Sequence, residues 1–199
     1  MVARRHVAIS LIVVGALLFL FAGGRFAGGA IRADQARQQW DEIAAHRAIT
    51  LTRSALATHE RMPIPTGSPV SRLVIPRIDL DEIVVEGVGE DELTAGPGHV
   101  PGSAVPGERG NAIVSAHRDR HFKRFDELRV GDTIRTESGY RSMAWVVVTR
   151  RVIDKDAPAL FRRRDTTLTL TTCWPIRYFG TAPDRLIITA KPVGTRNRS

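Results

Sequence analysis

The chain has one cysteine, Cys173, among 199 residues, so it cannot form an internal disulfide and its fold must hold by packing alone. The same scarcity removes zinc sites of the four-thiolate or two-thiolate kind, and leaves the redox compartment undecided. Lysine is nearly missing too, found only at Lys123, Lys155 and Lys191, so arginine carries most of the net charge of +8. That charge is compatible with nucleic acid, an anionic membrane surface or an anionic wall polymer, and dispersed surface arginine is the better reading. No recognition-helix, zinc-finger or RNA-binding signature accompanies it, and nucleic acid is not an expected partner. There is no internal repeat and no low-complexity tract. "GVGEDE" has two glycines but not the third of a dinucleotide fingerprint, and no calcium-loop spacing of acidic residues occurs.

What is present begins with an apolar run. Between Arg4/Arg5 and Arg25 lie 18 residues, Val7 to Gly24, whose only conventional polar member is Ser10. A membrane-spanning helix needs about 20 apolar residues and tolerates roughly 17, whereas a secretory core is about 7 to 15. Residues 1–30 therefore read as an uncleaved anchor, with a cleaved signal as the alternative given the small residues Ala27 to Ala30. An amphipathic stripe is absent, which argues against a buried core helix. Arginines flank the run on both sides, so the positive-inside count does not choose an orientation.

Residues 31–68 turn polar. Proline is absent up to Glu60 and helix formers abound, which predicts a helical stalk with Trp40 and Ile43 as isolated apolar points and with His46 and His59 solvated. Pro63, Pro65, Gly67 and Pro69 then mark a boundary. From 69 to 193 the chain reads as one body, with 194–199 as a tail. Seven segments in this body have strand-like length and composition: "RLVIP", "EIVVEGV", "NAIVSA", "GDTIRT", "MAWVVVTRRVI", "TTLTLTT" and "RLIITA". Helical signals are short, near Asp91, Phe125 and Ala159. The class is all-β, a sandwich or closed barrel.

The thiol ends one of these strands. In "TTLTLTT" Leu168 and Leu170 share one face and Thr167, Thr169 and Thr171 the other. Cys173 continues the threonine side, and Pro175 stops the strand just beyond it. A strand end beside a loop is where catalytic side chains emerge. A small buried hydrophobe fits the local pattern equally well. A nucleophilic thiol needs a base or a cation nearby. Of the three body histidines, His99 lies in a Gly/Pro-dense loop, His121 follows a polar run, and His117 ends "NAIVSAH" at a strand terminus, which makes it the better partner. Acyl transfer also needs donors where an oxyanion develops. Arg185 opens the last strand, 12 residues after the thiol, and ranks ahead of Arg177 in the intervening loop. Asp119 reads as a turn residue. The basic run Arg162–Arg164 reads as a solvated loop, with anionic lipid or wall polymer as the sharper alternative.

Together these residues resemble the sortases, membrane-anchored cysteine transpeptidases of the bacterial surface. "TLTTC" at Thr169–Cys173 is similar to their TLxTC signature. Gly96 to Asp132 resembles the stretch around the sortase histidine, especially in class D-type enzymes, and "CWPIRYFGTAPDRLIITA" the segment from cysteine to arginine. The resemblance covers residues 70 to 193. It implies an eight-stranded sortase-type β-barrel with an extracytoplasmic catalytic domain on a single-pass anchor, and no organic cofactor; calcium dependence stays open. By this resemblance Cys173 is the nucleophile, His117 the acid/base, Arg185 the oxyanion and substrate stabiliser, and Thr172 a hydrogen-bonding residue near the bound sorting signal. The implied partners are proteins bearing a C-terminal LPxTG-like signal and an amine such as wall peptide or pilin lysine, with water as the other acceptor. Ala116 departs from the glycine that many relatives have before the histidine, and it demands φ < 0 more strictly. An L,D-transpeptidase is disfavoured, since no serine–histidine–glycine lead precedes Cys173. The non-enzymatic alternative is a membrane-tethered β-domain that binds peptide or wall.

Overall fold

The computed structural model describes residues 2–50, 63–138, 141–156 and 165–193. The expected helix near Ala159, the Arg162–Arg164 run and His59 lie outside them, as does the 194–199 tail; of the His46 side chain nothing is described.

A single helix, α1 (Val2–Thr50), carries the N-terminal region. Its apolar side chains from Leu11 to Phe21 are 51–78% exposed on every face. Among the described residues this is the one helix long and apolar enough to cross a membrane, and an all-round apolar surface of this kind suits lipid rather than water.

Beyond the apolar run α1 lies against the body. Ala36 and Trp40, one turn apart, are both 5% exposed and pack with Ile83 and Val85. Arg32 pairs with Asp91 at 2.7 Å, and Arg37 reaches the Glu82 carboxylate and the Asp81 carbonyl at 3.0 Å each. Gly29 sits so close to Thr94 that a Cβ there would overlap the threonine side chain. Burial pushes the Glu82 carboxyl up, but His121 at 3.6 Å and Arg37 outweigh it and hold the group below its ordinary value. Trp40 is thus a docking residue, not an isolated apolar point on a free stalk.

The body is a closed eight-stranded barrel in the order β1-β2-β3-β4-β7-β8-β6-β5. Its strands are β1 (Pro69–Ile75), β2 (Leu80–Glu86), β3 (Gly98–His99), β4 (Asn111–Ser115), β5 (Thr133–Ser138), β6 (Arg141–Asp154), β7 (Thr167–Trp174) and β8 (Asp184–Pro192). A short helix, α2 (Glu90–Ala95), links β2 to β3, and Phe125–Glu127 form a 3₁₀ turn. Seven strands lie where Val, Ile and Thr concentrate. The eighth, β3, has only two residues and leaves no periodic signal. It is made by tertiary pairing, parallel to β2 and antiparallel to β4.

The barrel interior is filled by Leu73, Val114, Trp145, Leu168, Leu170 and Ile188, each at most 1% exposed. Trp145 donates its Nε1–H to the Thr136 hydroxyl at 2.8 Å, satisfying its only polar group. Phe122 and Phe125, stacked at 4.4 Å, join the same core from the segment after β4, and so fix the chain that follows His117. The threonine face of β7 is covered as well: Thr167 and Thr169 both donate to Asn111 Oδ1 at 2.8 Å. β7 is paired on both edges, with β4 and with β8.

Candidate active site

Strand register builds the site. β7 and β8 run antiparallel with Cys173 directly opposite Arg185. Directly opposed residues project to the same face with Cβ atoms about 4.5–5.5 Å apart. On its other edge β7 pairs in parallel with β4, Ser115 opposite Thr171, and the ladder continues through Ala116 N–H donating to Thr171 O at 3.2 Å. His117 follows Ser115 by two residues, just past the end of β4, as Cys173 follows Thr171 on β7. Cys173 and Arg185 therefore share one face of β7 and β8, and His117 follows just beyond the end of the adjoining β4.

All three are half-buried. Cys173 is a free thiol of intermediate exposure, and the His117 side chain is 28% exposed. A sulfur sealed in the apolar interior would have ended the nucleophile reading; the interior is reached instead by the alternate residues Leu168 and Leu170. The strand ends at Trp174, before the proline that lacks a donor. Arg185 donates Nη1–H to its neighbour's carbonyl, Asp184 O, at 3.2 Å, which leaves further guanidinium donors.

Thr172 points the other way. It is 2% exposed and its hydroxyl donates to Ala116 O at 2.7 Å. This is a tether between the strand end carrying the histidine and the strand end carrying the thiol, rather than a contact surface on the cleft. Ala116 itself causes no strain, because the only non-glycine residue with positive φ among those described is Asp79.

The other expected candidates fall elsewhere. His99 is buried and held on both ring nitrogens, by Glu86 at 2.5 Å and by Ala104 O at 3.0 Å with Ser103 at 2.9 Å, so it locks the loop before β4. Arg177 is exposed, and Asp119 occupies an exposed turn. Among the described residues no group of three or more His, Cys, Asp or Glu is placed to hold a metal ion.

Arg118 was not legible as a site residue. Its guanidinium donates to Pro175 O at 3.0 Å, Tyr178 O at 3.0 Å and Gly180 O at 2.7 Å, and lies 5.7 Å from the Tyr178 ring. It binds the loop between Cys173 and Arg185 to the residue after His117. No local pattern distinguishes it from other arginines, since its partners are carbonyls 57 to 62 residues away. Arg118→Ala is expected to loosen this loop and slow catalysis about 10- to 100-fold through misplacement of the site residues. Arg118→Lys should not restore the rate, because a point charge cannot reproduce the fork. Faster hydrogen exchange over residues 176–183 would accompany the loss; unchanged exchange would count against a loop-holding role.

The sortase-domain profile matches residues 73–193 of the chain. The chain belongs to the sortase family. It is 38% identical over 130 residues to the Sortase D of Bacillus subtilis (strain 168), an alignment covering 64% of this chain and 66% of that protein's length. Among solved structures, its fold is similar to the Sortase D5 transpeptidase of Clostridium perfringens (TM-score 0.65, 22% identity, 84% of this chain and 99% of that one). It is also similar to Clostridium perfringens sortase C bearing the C-terminal cell wall sorting motif (TM-score 0.59, 22% identity, 80% of this chain and 89% of that one). Members of the sortase family are cysteine transpeptidases.

Proposed function

We propose that this sortase cleaves a C-terminal sorting signal and transfers the acyl part to an amine, joining proteins to the cell surface. The observation that supports it best is the register that sets Cys173 opposite Arg185 on β7 and β8, with His117 just past the end of the adjoining β4. The Cys173 sulfur, as thiolate, attacks an amide carbonyl of the LPxTG-like signal. Arg185 donates to the oxyanion of the tetrahedral intermediate. His117 delivers a proton to the leaving amine, the C–N bond breaks and a thioester remains. An incoming amine, such as a wall peptide or a pilin lysine, then attacks the thioester carbonyl. His117 takes the proton of that amine, and the C–S bond breaks to return the thiolate and a new amide. Water in place of the amine gives hydrolysis. Thr172 contributes by tethering the two strand ends, in place of direct contact with the signal.

The helix α1 is read as a single-pass anchor that keeps the barrel on the extracytoplasmic face, where surface proteins and wall amines are found. A domain that only binds peptide or wall would leave the thiol inert. A screen of sorting-signal peptides, with and without an added amine, separates the two. Mass spectrometry is expected to show the enzyme carrying the signal's N-terminal part at Cys173, and an amine-dependent second product. Binding without any covalent adduct at Cys173, across the peptide series, would favour the binding domain.

A further inference from the structure

His117 Nε2 is shielded from solvent and has no hydrogen-bond partner. A shielded ring nitrogen with nothing to bond calls for an explanation. The nearest opposite charge is the Glu90 carboxylate, Oε2 at 3.7 Å, beyond hydrogen-bond length but within ion-pair range. Catalytic hydrogen bonds are often long before substrate arrives and tighten in the complex. The Glu90 side chain is 68% exposed and has three rotatable bonds, so closing the gap needs only a rotamer adjustment.

We propose that Glu90 is a positioning residue for His117, orienting the ring during proton delivery to the leaving amine. The idea rests on the acid/base reading of His117 given above. The position of Glu90 is itself set from the membrane side. It opens α2, whose next residue, Asp91, pairs with Arg32 of α1, and whose Thr94 packs against Gly29. The charged and titratable groups around the imidazole are few. Cys173 and Arg185 lie on β7 and β8, Arg118 is turned to the β7–β8 loop, and Arg120 has its Nη1 at 3.5 Å from Thr94 O. Glu90 is the carboxylate within ion-pair range of the imidazole.

Glu90→Gln keeps the size and removes the charge. In the full-length protein it is expected to lower kcat about two- to fivefold at neutral pH, the range of a partly exposed ion pair, with KM unchanged. Glu90→Asp should recover part of the rate, and Glu90→Lys should fall below Glu90→Gln. Glu92→Gln, the same charge change two residues on, should leave the rate as it is. Wild-type kcat in Glu90→Gln, or an equal loss in Glu92→Gln, would overturn the proposal. His117→Asn distinguishes this from failure of the underlying reading: retained transpeptidation in that variant would show that His117 is not the acid/base at all.

Discussion

Cys173→Ala is expected to abolish acyl-enzyme formation and lower turnover by about 10⁴-fold or more, the scale seen when a nucleophile is removed from a catalytic set. The fold should be unaffected. The side chain is half-buried at a strand end, outside the barrel core, and the change removes one sulfur atom without leaving an unsatisfied donor. The thermal midpoint and the barrel's circular dichroism are thus expected to match the wild type. Intact-mass spectrometry after incubation with a sorting-signal peptide provides the check. Peptide cleavage retained by the alanine variant would refute the covalent mechanism, since no other thiol exists in the chain to substitute.

The second large effect belongs to Arg185. In the proposed mechanism Arg185, in register opposite Cys173, donates to the oxyanion formed when the sulfur attacks. Removing a donor of this kind costs about 10²–10³ in kcat. Arg185→Ala is therefore expected to slow acylation by that factor, with a stability change within about 0.5 kcal/mol because the side chain is not packed in the core. Arg185→Lys should recover little, as a single ammonium cannot present two parallel donors. Alkylation of Cys173 by a small neutral reagent should proceed in both variants, because that reaction develops no oxyanion. A loss smaller than about tenfold in single-turnover acylation would remove Arg185 from the oxyanion role.

These two residues show why part of the site was readable before any coordinates. The alternation Thr167–Thr171 and the proline at 175 are local, and they suffice to put a thiol at a strand end. The runs around Val114 and Ile188 likewise identify strands whose ends carry His117 and Arg185. Three motifs in sortase order then connected the ends. The pairing itself was not local. The site depends on β4 joining β7 in parallel and β8 joining it antiparallel, and a one-residue slip in either ladder would turn a partner to the opposite face. Glu90, Arg118 and the docking of Trp40 were illegible for the same reason. Each acts on a partner distant in sequence, and none has a composition that marks it.

The sequence by itself determined the apolar N-terminal run, the all-β body, the strand-end position of the only thiol and the family of the chain. The first three follow from periodicity, proline and side-chain chemistry over a few neighbouring residues; the family came from the resemblance of three separate motifs to those of the sortases. Only the tertiary structure decided the two-residue β3, the inward turn of Thr172, and the contacts of α1 and α2 that bring Glu90 to His117. Closing a barrel brings together groups tens of residues apart, and the energies that select those neighbours are absent from any short stretch of chain.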